Sequence, residues 1–452
     1  MNCIFRRGII AGCLVASSAL AAPAAELVAA VDESALHSTI ETLVGFGTRH
    51  TLSDTQSNTR GIGAARRWVA GQFAAIAKDC GGCLTMVTPS QMVSGKRILQ
   101  PAEVMDVLAI QLGSGEPNRV ILITGHLDSR VSDVMDATSD APGANDDGSG
   151  VAVVMEAARL LSKYHFKATL VYGVLSGEEQ GLYGGQLLAD YAKAQGWQVE
   201  AQLNNDIVGN SHGQDGLNEN NVVRVLSEGT RAAETPAMAK WRSLHGGEVD
   251  SASRNLARYM ARLAEEQLGN FKVRLLYRTD RDSRGGDQVP MLAAGFPAIR
   301  VSEAHEDYRH QHQNLRTENG VVYGDTIAGV DFAYLAQVAR LNIVTLAALA
   351  RAPAPPDGVT LEGAVTPDTT LRWNAVPGAI GYRIWWRESV SPQWQYSRMA
   401  AAEARSYTLK NTVIDDYFFG VASVGPDGAE SPVTFPGEVG SFAPLKPAAG
   451  AP

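Results

Sequence analysis

Five short segments carry the side chains of this chain that could bind cations or move protons. His126-Leu-Asp128 is the first, and Pro142-Gly-Ala-Asn-Asp-Asp-Gly-Ser-Gly150 follows it with Asp146 and Asp147 in a glycine-rich turn. Glu178 and Glu179 stand together in Ser176-Gly-Glu-Glu-Gln-Gly181, and Asp206 follows another apolar run. The last segment, Asp307 to Thr317, offers His310 and His312. Singly these are ordinary residues, since HxD is common and aspartates ahead of a helix serve as caps. Together they describe a site. Carboxylates crowded with few histidines repel one another unless cations lie among them, and mixed nitrogen and oxygen donors suit zinc and related divalent ions. Five or more candidate donors exceed the three protein ligands of an ordinary catalytic zinc, so two metals fit better than one.

The surrounding elements explain how these segments could meet. The apolar run Val120 to Thr124 predicts a strand ending just before His126, and the glycine-rich turn opens a helix over 148–163. A strand at 168–175 leads to Glu178, a helix at 183–195 follows, and a strand at 198–208 carries Asp206 near its end. Upstream, a helical stripe covers 60–77, and Val104 to Leu112 reads as one strand joined by a Gly-Ser-Gly-Glu-Pro-Asn turn to the next. Downstream come a helix at 251–268, strands at 271–278 and 297–302, and a long helix at 325–350 opening after Gly324-Asp325-Thr326. The stretch 211–250 holds no motif. Strands that are apolar throughout and alternate with helices imply a sheet covered on both faces. The predicted class is therefore α/β: a three-layer α/β/α sandwich with a mixed, mainly parallel sheet. In such sheets, functional groups collect at the carboxyl ends of the strands, where His126, the Glu178-Glu179 pair and Asp206 all fall.

Taken in order and spacing, His126-Leu-Asp128, Gly143-Ala-Asn-Asp-Asp-Gly-Ser-Gly150, Glu178-Glu179-x-Gly-Leu182, Asp206 and the late histidine segment resemble the co-catalytic dizinc aminopeptidases. That family shares its fold with glutamate carboxypeptidases and glutaminyl cyclases, and the resemblance covers about residues 35–350. It implies two zinc ions: one held by His126 and Asp206, the other by Glu179 and a late histidine, with Asp146 bridging both. It further implies that Glu178 is the general base acting on a metal-bridging water, and that Asp128 orients His126. The Asp146–Asp147 peptide would be cis, and Asp287 in Gly285-Gly-Asp-Gln288 would be structural. For the late histidine, spacing leaves two candidates. If the segment is extended, His310 and His312 point the same way. The family places a threonine five residues after its ligand, which favours His312 through Thr317 and leaves His310 beside the site.

The implied activity is that of an exported zinc exopeptidase, most simply an aminopeptidase acting on peptides or proteins. A carboxypeptidase or glutaminyl cyclase on the same fold, or a binding protein that keeps the fold without catalysis, are the alternatives. Export is read from Arg6-Arg7, the apolar run that follows and the Ala19-Leu-Ala21 site, which together resemble a cleaved signal peptide over 1–25 and place the protein in the periplasm or outside the cell. That run is shorter than a spanning helix, so no stable membrane insertion is expected. In an oxidising compartment, Cys80 and Cys83 are expected to form a small disulfide.

With 452 residues, of which 45% are hydrophobic and 19% charged, the chain is long enough for two or three domains. Its formal charge of −9, or −11 without the first 25 residues, disfavours a nucleic-acid partner. The catalytic domain is expected over 26–351. Ala352-Pro-Ala-Pro-Pro356 reads as a stiff linker, after which short strands at 370–373, 381–386, 407–409 and 417–423 resemble a fibronectin type III domain over 357–445. This module is expected to fold independently and to bind a surface or macromolecule.

Overall fold

The computed structural model describes residues 24–445. Of the expected leader, 1–25, residues 1–23 lie outside that range, and Ala24 and Ala25 belong to the helix Ala24–Ala30.

The strands are β1 (Leu84–Val87), β2 (Ser90–Gly95), β3 (Ile98–Met105), β4 (Val107–Gln111), β5 (Glu116–His126), β6 (Ala168–Leu175), β7 (Gln198–Asn205), β8 (Val222–Leu226), β9 (Lys272–Leu276) and β10 (Ala298–Glu303). Apart from the β2–β3 hairpin they form one eight-stranded sheet ordered β1-β4-β6-β5-β7-β10-β8-β9. The pairs β5–β6, β5–β7, β7–β10 and β8–β9 are parallel, and the other three are antiparallel. Side chains alternate across a strand, so β5 serves two cores. Ile121 and Ile123 pack with the helices Glu33–Gly45, Gly148–Leu161 and Phe332–Arg351, while Val120 and Leu122 pack with Tyr183–Ala194 and Gln288–Ala293. The result is the three-layer sandwich that the apolar strands imply.

Two expectations need correction, and one stretch without a motif gains elements. The run 104–112 is two strands, because Asp106 turns inward and its buried carboxylate accepts the Ser176 N–H at 3.0 Å. The motif-free stretch 211–250 supplies β8, a full member of the sheet, and the helix Pro236–His245. The last long helix begins at Phe332, not 325, where the Asp331 side chain caps it by accepting the Tyr334 N–H. This helix is apolar and long enough to cross a membrane, yet it is mostly buried in the core. Asn342 on it exchanges amide hydrogen bonds of 2.8 and 3.1 Å with Asn205 at the end of β7, which ties it to the sheet.

After residue 356, two three-stranded antiparallel sheets face each other across a core that includes Leu371, Trp373, Tyr382, Ile384 and Phe419. This sandwich is docked and not a free module. Ala352, Pro353 and Pro356 are buried, and Phe442, beyond the last strand, enters the core of the first domain. Asp250 accepts one hydrogen bond from Arg258 at 2.7 Å and two from Arg387 at 2.9 and 2.8 Å, all three side chains being at most 1% exposed. Among the described residues neither guanidinium has another carboxylate. Breaking a buried ion cluster by removing one member leaves charge uncompensated, so Asp250→Ala is expected to destabilise the whole chain by about 3–5 kcal/mol in urea unfolding. A loss below about 1 kcal/mol would mean that the sandwich is only loosely attached.

Candidate metal centre

The site forms where β5, the first strand of the parallel region, is flanked by β6 on one side and β7 on the other, so that the chain changes direction across the sheet. His126 is the last residue of β5, Asp206 directly follows β7, and Glu178 and Glu179 lie in the turn after β6. The helix starting at Gly148 packs its first turn against these strand ends. A Cβ on Gly150 would lie 2.4 Å from the Asn205 carbonyl, and one on Gly125 would lie 2.6 Å from the Gly150 backbone. Only glycine permits that approach, and it brings Asp146 under His126.

Asp146 stands at the centre. Its Oδ1 is 3.2 Å from His126 Nε2 and its Oδ2 is 2.9 Å from His312 Nε2. Asp206 Oδ1 lies 3.9 Å from His126 Nε2, and Glu179 Oε1 lies 3.2 Å from His312 Nε2. Two donor groups therefore share Asp146: His126, Asp146 and Asp206 on one side, and Asp146, Glu179 and His312 on the other, with the donor atoms of each within 4.8 Å of one another. Among the described residues the buried Glu179 Oε1 has no hydrogen-bond partner, so it is left free as a donor to a cation in the group it shares with Asp146 and His312. This geometry and the N/O donor set fit zinc at both positions. The Asp146–Asp147 peptide is cis, and Cys80 and Cys83, remote from these groups in sequence, are disulfide-bonded.

Electrostatics separates the carboxylates. Burial would raise Asp146, but the facing imidazoles of His312 and His126 hold it well below the usual range. Burial likewise opposes ionisation of Glu179, which His312 and Arg130 nevertheless hold low. Glu178 goes the other way: burial, with the charges of Asp206 and Glu179, pushes it well above an ordinary glutamate. Its carboxylate makes no hydrogen bond or ion pair among the described residues, and it lines the open cavity over the two donor groups.

The supporting residues tie the strand ends and turns of the site together. His126 Nδ1 faces the Asp128 carbonyl at 2.9 Å, while the Asp128 carboxylate is 3.7 Å away. That carboxylate instead accepts the backbone N–H of Glu178 and Glu179, at 3.3 and 3.0 Å, and the Thr51 hydroxyl. Asp128 thus fixes both ends of the site. Asp147 accepts N–H bonds from His126, Gly150 and Ile207, joining β5, the helix and the end of β7. Asp287 accepts the Gly185 N–H, and burial pushes its carboxyl up to about 7. The histidine segment is not extended: it bends through turns, and His312 has a φ of 53°. His310 consequently points away from the donor groups, with Nδ1 at 2.9 Å from the Gly324 carbonyl.

Four residues of the site escaped the sequence reading. Asp325, expected at a helix start, accepts the N–H groups of Asn145 and Asp146. Arg49, fully buried, donates to the carbonyls of Leu127, Pro142 and Gly143 and clamps the loop from beneath. Arg300 pairs with Asp206 at 2.8 Å, and Arg130 with Glu179 at 2.8 Å. No motif marks Arg49, Arg300 or Asp325, because tertiary packing brings each from a distant part of the chain, whereas Arg130 stands two residues after Asp128 and meets Glu179 only in the folded chain.

Residues 106–321 match Peptidase family M28. A probable zinc metalloprotease of Leptosphaeria maculans is 43% identical over 422 residues, which are 92% of this chain and 97% of that protein. Among solved structures, LapB from Legionella pneumophila superposes with a TM-score of 0.51 at 18% identity, over 71% of this chain and 72% of that one. The aminopeptidase from Aneurinibacillus sp. strain AM-1 gives 0.50 at 14% identity, over 73% and 96%. These two likenesses are of fold.

Proposed function

Since the chain belongs to peptidase family M28, we propose that this zinc metalloprotease is an exported exopeptidase that removes N-terminal residues from peptides with two zinc ions. The observation that supports this most is the pair of donor groups sharing Asp146 beside an unpartnered glutamate carboxylate. His126, Asp146 and Asp206 would hold one ion, and Asp146, Glu179 and His312 the other. Zinc, when bound, supplies Lewis acidity for the scissile carbonyl and a water of lowered pKa. Glu178 takes the proton of the attacking water on its carboxylate and delivers it to the leaving amine as the C–N bond breaks. Asp128 keeps that carboxylate in place through its backbone N–H. The cavity, about 350 Å³, suits the end of a chain better than a threaded polypeptide. The C-terminal sandwich, read as fibronectin type III-like, would present a second surface to macromolecular substrates.

The test is a panel of peptides on the zinc-loaded, chelated and zinc-restored protein. Hydrolysis of peptides with a free amino terminus is expected, lost with the metal and recovered with it. Cleavage of N-acetylated peptides at their carboxyl end would convert the reading to a carboxypeptidase. Release of ammonia from N-terminal glutamine without hydrolysis would make it a cyclase.

A further inference from the structure

Among the described residues, the cavity over the metal centre is lined by four arginines, Arg97, Arg130, Arg281 and Arg284, and by a single large apolar side chain, Leu182. A pocket built for an aliphatic residue would be lined the other way. The protein as a whole carries a formal charge of −9, so this local excess of guanidinium runs against its composition.

The arginines are not equally engaged. Arg130 donates to Glu179 and contacts His312 Nδ1 at 2.6 Å. Behind the wall formed by Arg281 and Arg284, one buried carboxylate, Glu306, serves three guanidiniums: Arg224 at 2.6 Å, Arg281 at 3.1 Å and Arg284 at 3.4 Å. Arg281 also approaches Asp280 at 3.4 Å, but Asp280 is already shared with Arg300. That wall therefore has more positive than negative groups. Arg284 uses one nitrogen, Nη1, which faces Glu306 and donates to Gln311 at 2.9 Å. Arg97, on the turn of the β2–β3 hairpin, gives a single bond to the Glu179 carbonyl at 2.8 Å and has no carboxylate partner among the described residues. A guanidinium offers five donors, so both arginines keep a free edge with the planar fork that matches a carboxylate. The acidic groups lining the cavity, Asp146, Glu178, Glu179 and Asp206, are all assigned to metal binding or proton transfer. Among the described residues lining the cavity, none is left to neutralise these edges.

We propose that Arg97 and Arg284, both on the lining of the cavity, receive a substrate carboxylate next to the scissile bond, so that the protein selects anionic peptide ends. The inference rests on the exopeptidase reading of the same site. Two sources supply this chemistry: the side chain of an acidic terminal residue, or the free α-carboxylate of a short peptide.

The experiment compares isosteric pairs on the full-length zinc-loaded protein. One pair is a glutamyl and a glutaminyl anilide; the other is a dipeptide and its C-terminal amide. In one pair the charged member should be favoured by about tenfold or more in kcat/KM, and the pair that responds identifies the source. Combining Arg97→Gln with Arg284→Gln should collapse that ratio toward unity. Equal rates within both pairs, or a preference that survives the double substitution, would overturn the proposal. In parallel, calorimetry with glutarate and with glutaramide reads binding alone. Glutarate should bind the wild type more tightly than its diamide does, and the double variant should lose that difference. If no peptide is turned over, the exopeptidase reading fails, and the glutarate measurement still decides whether these arginines receive a carboxylate.

Discussion

Replacing Glu178 by glutamine is expected to lower kcat by about 10²–10⁴-fold while leaving zinc content unchanged. The substitution keeps the shape of the side chain and removes only its ability to take a proton. It is also unusually clean here. The Glu178 carboxylate makes no hydrogen bond or ion pair among the described residues, so no structural partner is orphaned by the change. The backbone N–H that Asp128 holds is untouched. Its neighbour provides the contrast. Glu179 lies 3.2 Å from His312 and is paired with Arg130, within the second donor group, so Glu179→Gln should deplete metal first and activity as a consequence. Metal analysis on both variants, beside initial rates, separates the roles. Loss of zinc from Glu178→Gln would show that this carboxylate is a ligand and that the proton acceptor must be sought elsewhere.

The difference between these two adjacent glutamates was legible in the sequence only through family resemblance, and the structure gives its physical basis. Side chains of consecutive residues after a strand diverge, and here one enters the imidazole and guanidinium side of the site while the other faces the open cavity. The strands themselves were easy to read. Val120 to Thr124 and Ala168 to Leu175 are almost wholly apolar runs, broken only by Thr124 and Thr169, because both of their faces are buried. Such runs also fix which residues stand at the carboxyl edge, so the sequence alone groups His126, Glu178, Glu179 and Asp206 there. The short β8 and the Asp106 break were not legible. A five-residue strand inside a polar stretch has too little periodicity to register, and a buried aspartate in an apolar run is explained only by its distant partner, the Ser176 N–H. Arg49, Arg300 and Asp325 were invisible for the same reason. Their acceptors and donors are separated from them by tens of residues and meet only in the folded chain. The linker reading failed differently. Proline-rich composition describes stiffness, but whether a stiff segment is free or packed depends on what it lies against, and Ala352 and Pro353 lie buried beside the first domain.

The late histidines give the second large effect. His312→Ala is expected to remove one of the two zinc ions and nearly all activity. It would take an imidazole from a group in which Asp146 and Glu179 are the other donors among the described residues, and its loss should exceed the roughly 10–100-fold that follows removal of an outer-shell partner. His310→Ala should retain both metals, with kcat/KM within about tenfold of wild type, because the ring is turned toward the Gly324 carbonyl and reaches no donor group. Were the segment extended, the two rings would share a face and the variants could not be told apart in advance. The turn at 308–312 and the left-handed backbone of His312 remove that degeneracy and direct its Nε2 between Asp146 and Glu179. Zinc stoichiometry of the two purified variants, after dialysis against the same free metal, is the deciding measurement. A His310→Ala protein that holds one zinc, beside a His312→Ala protein that holds two, would place the ligand two residues earlier and require the turn to be rebuilt around it.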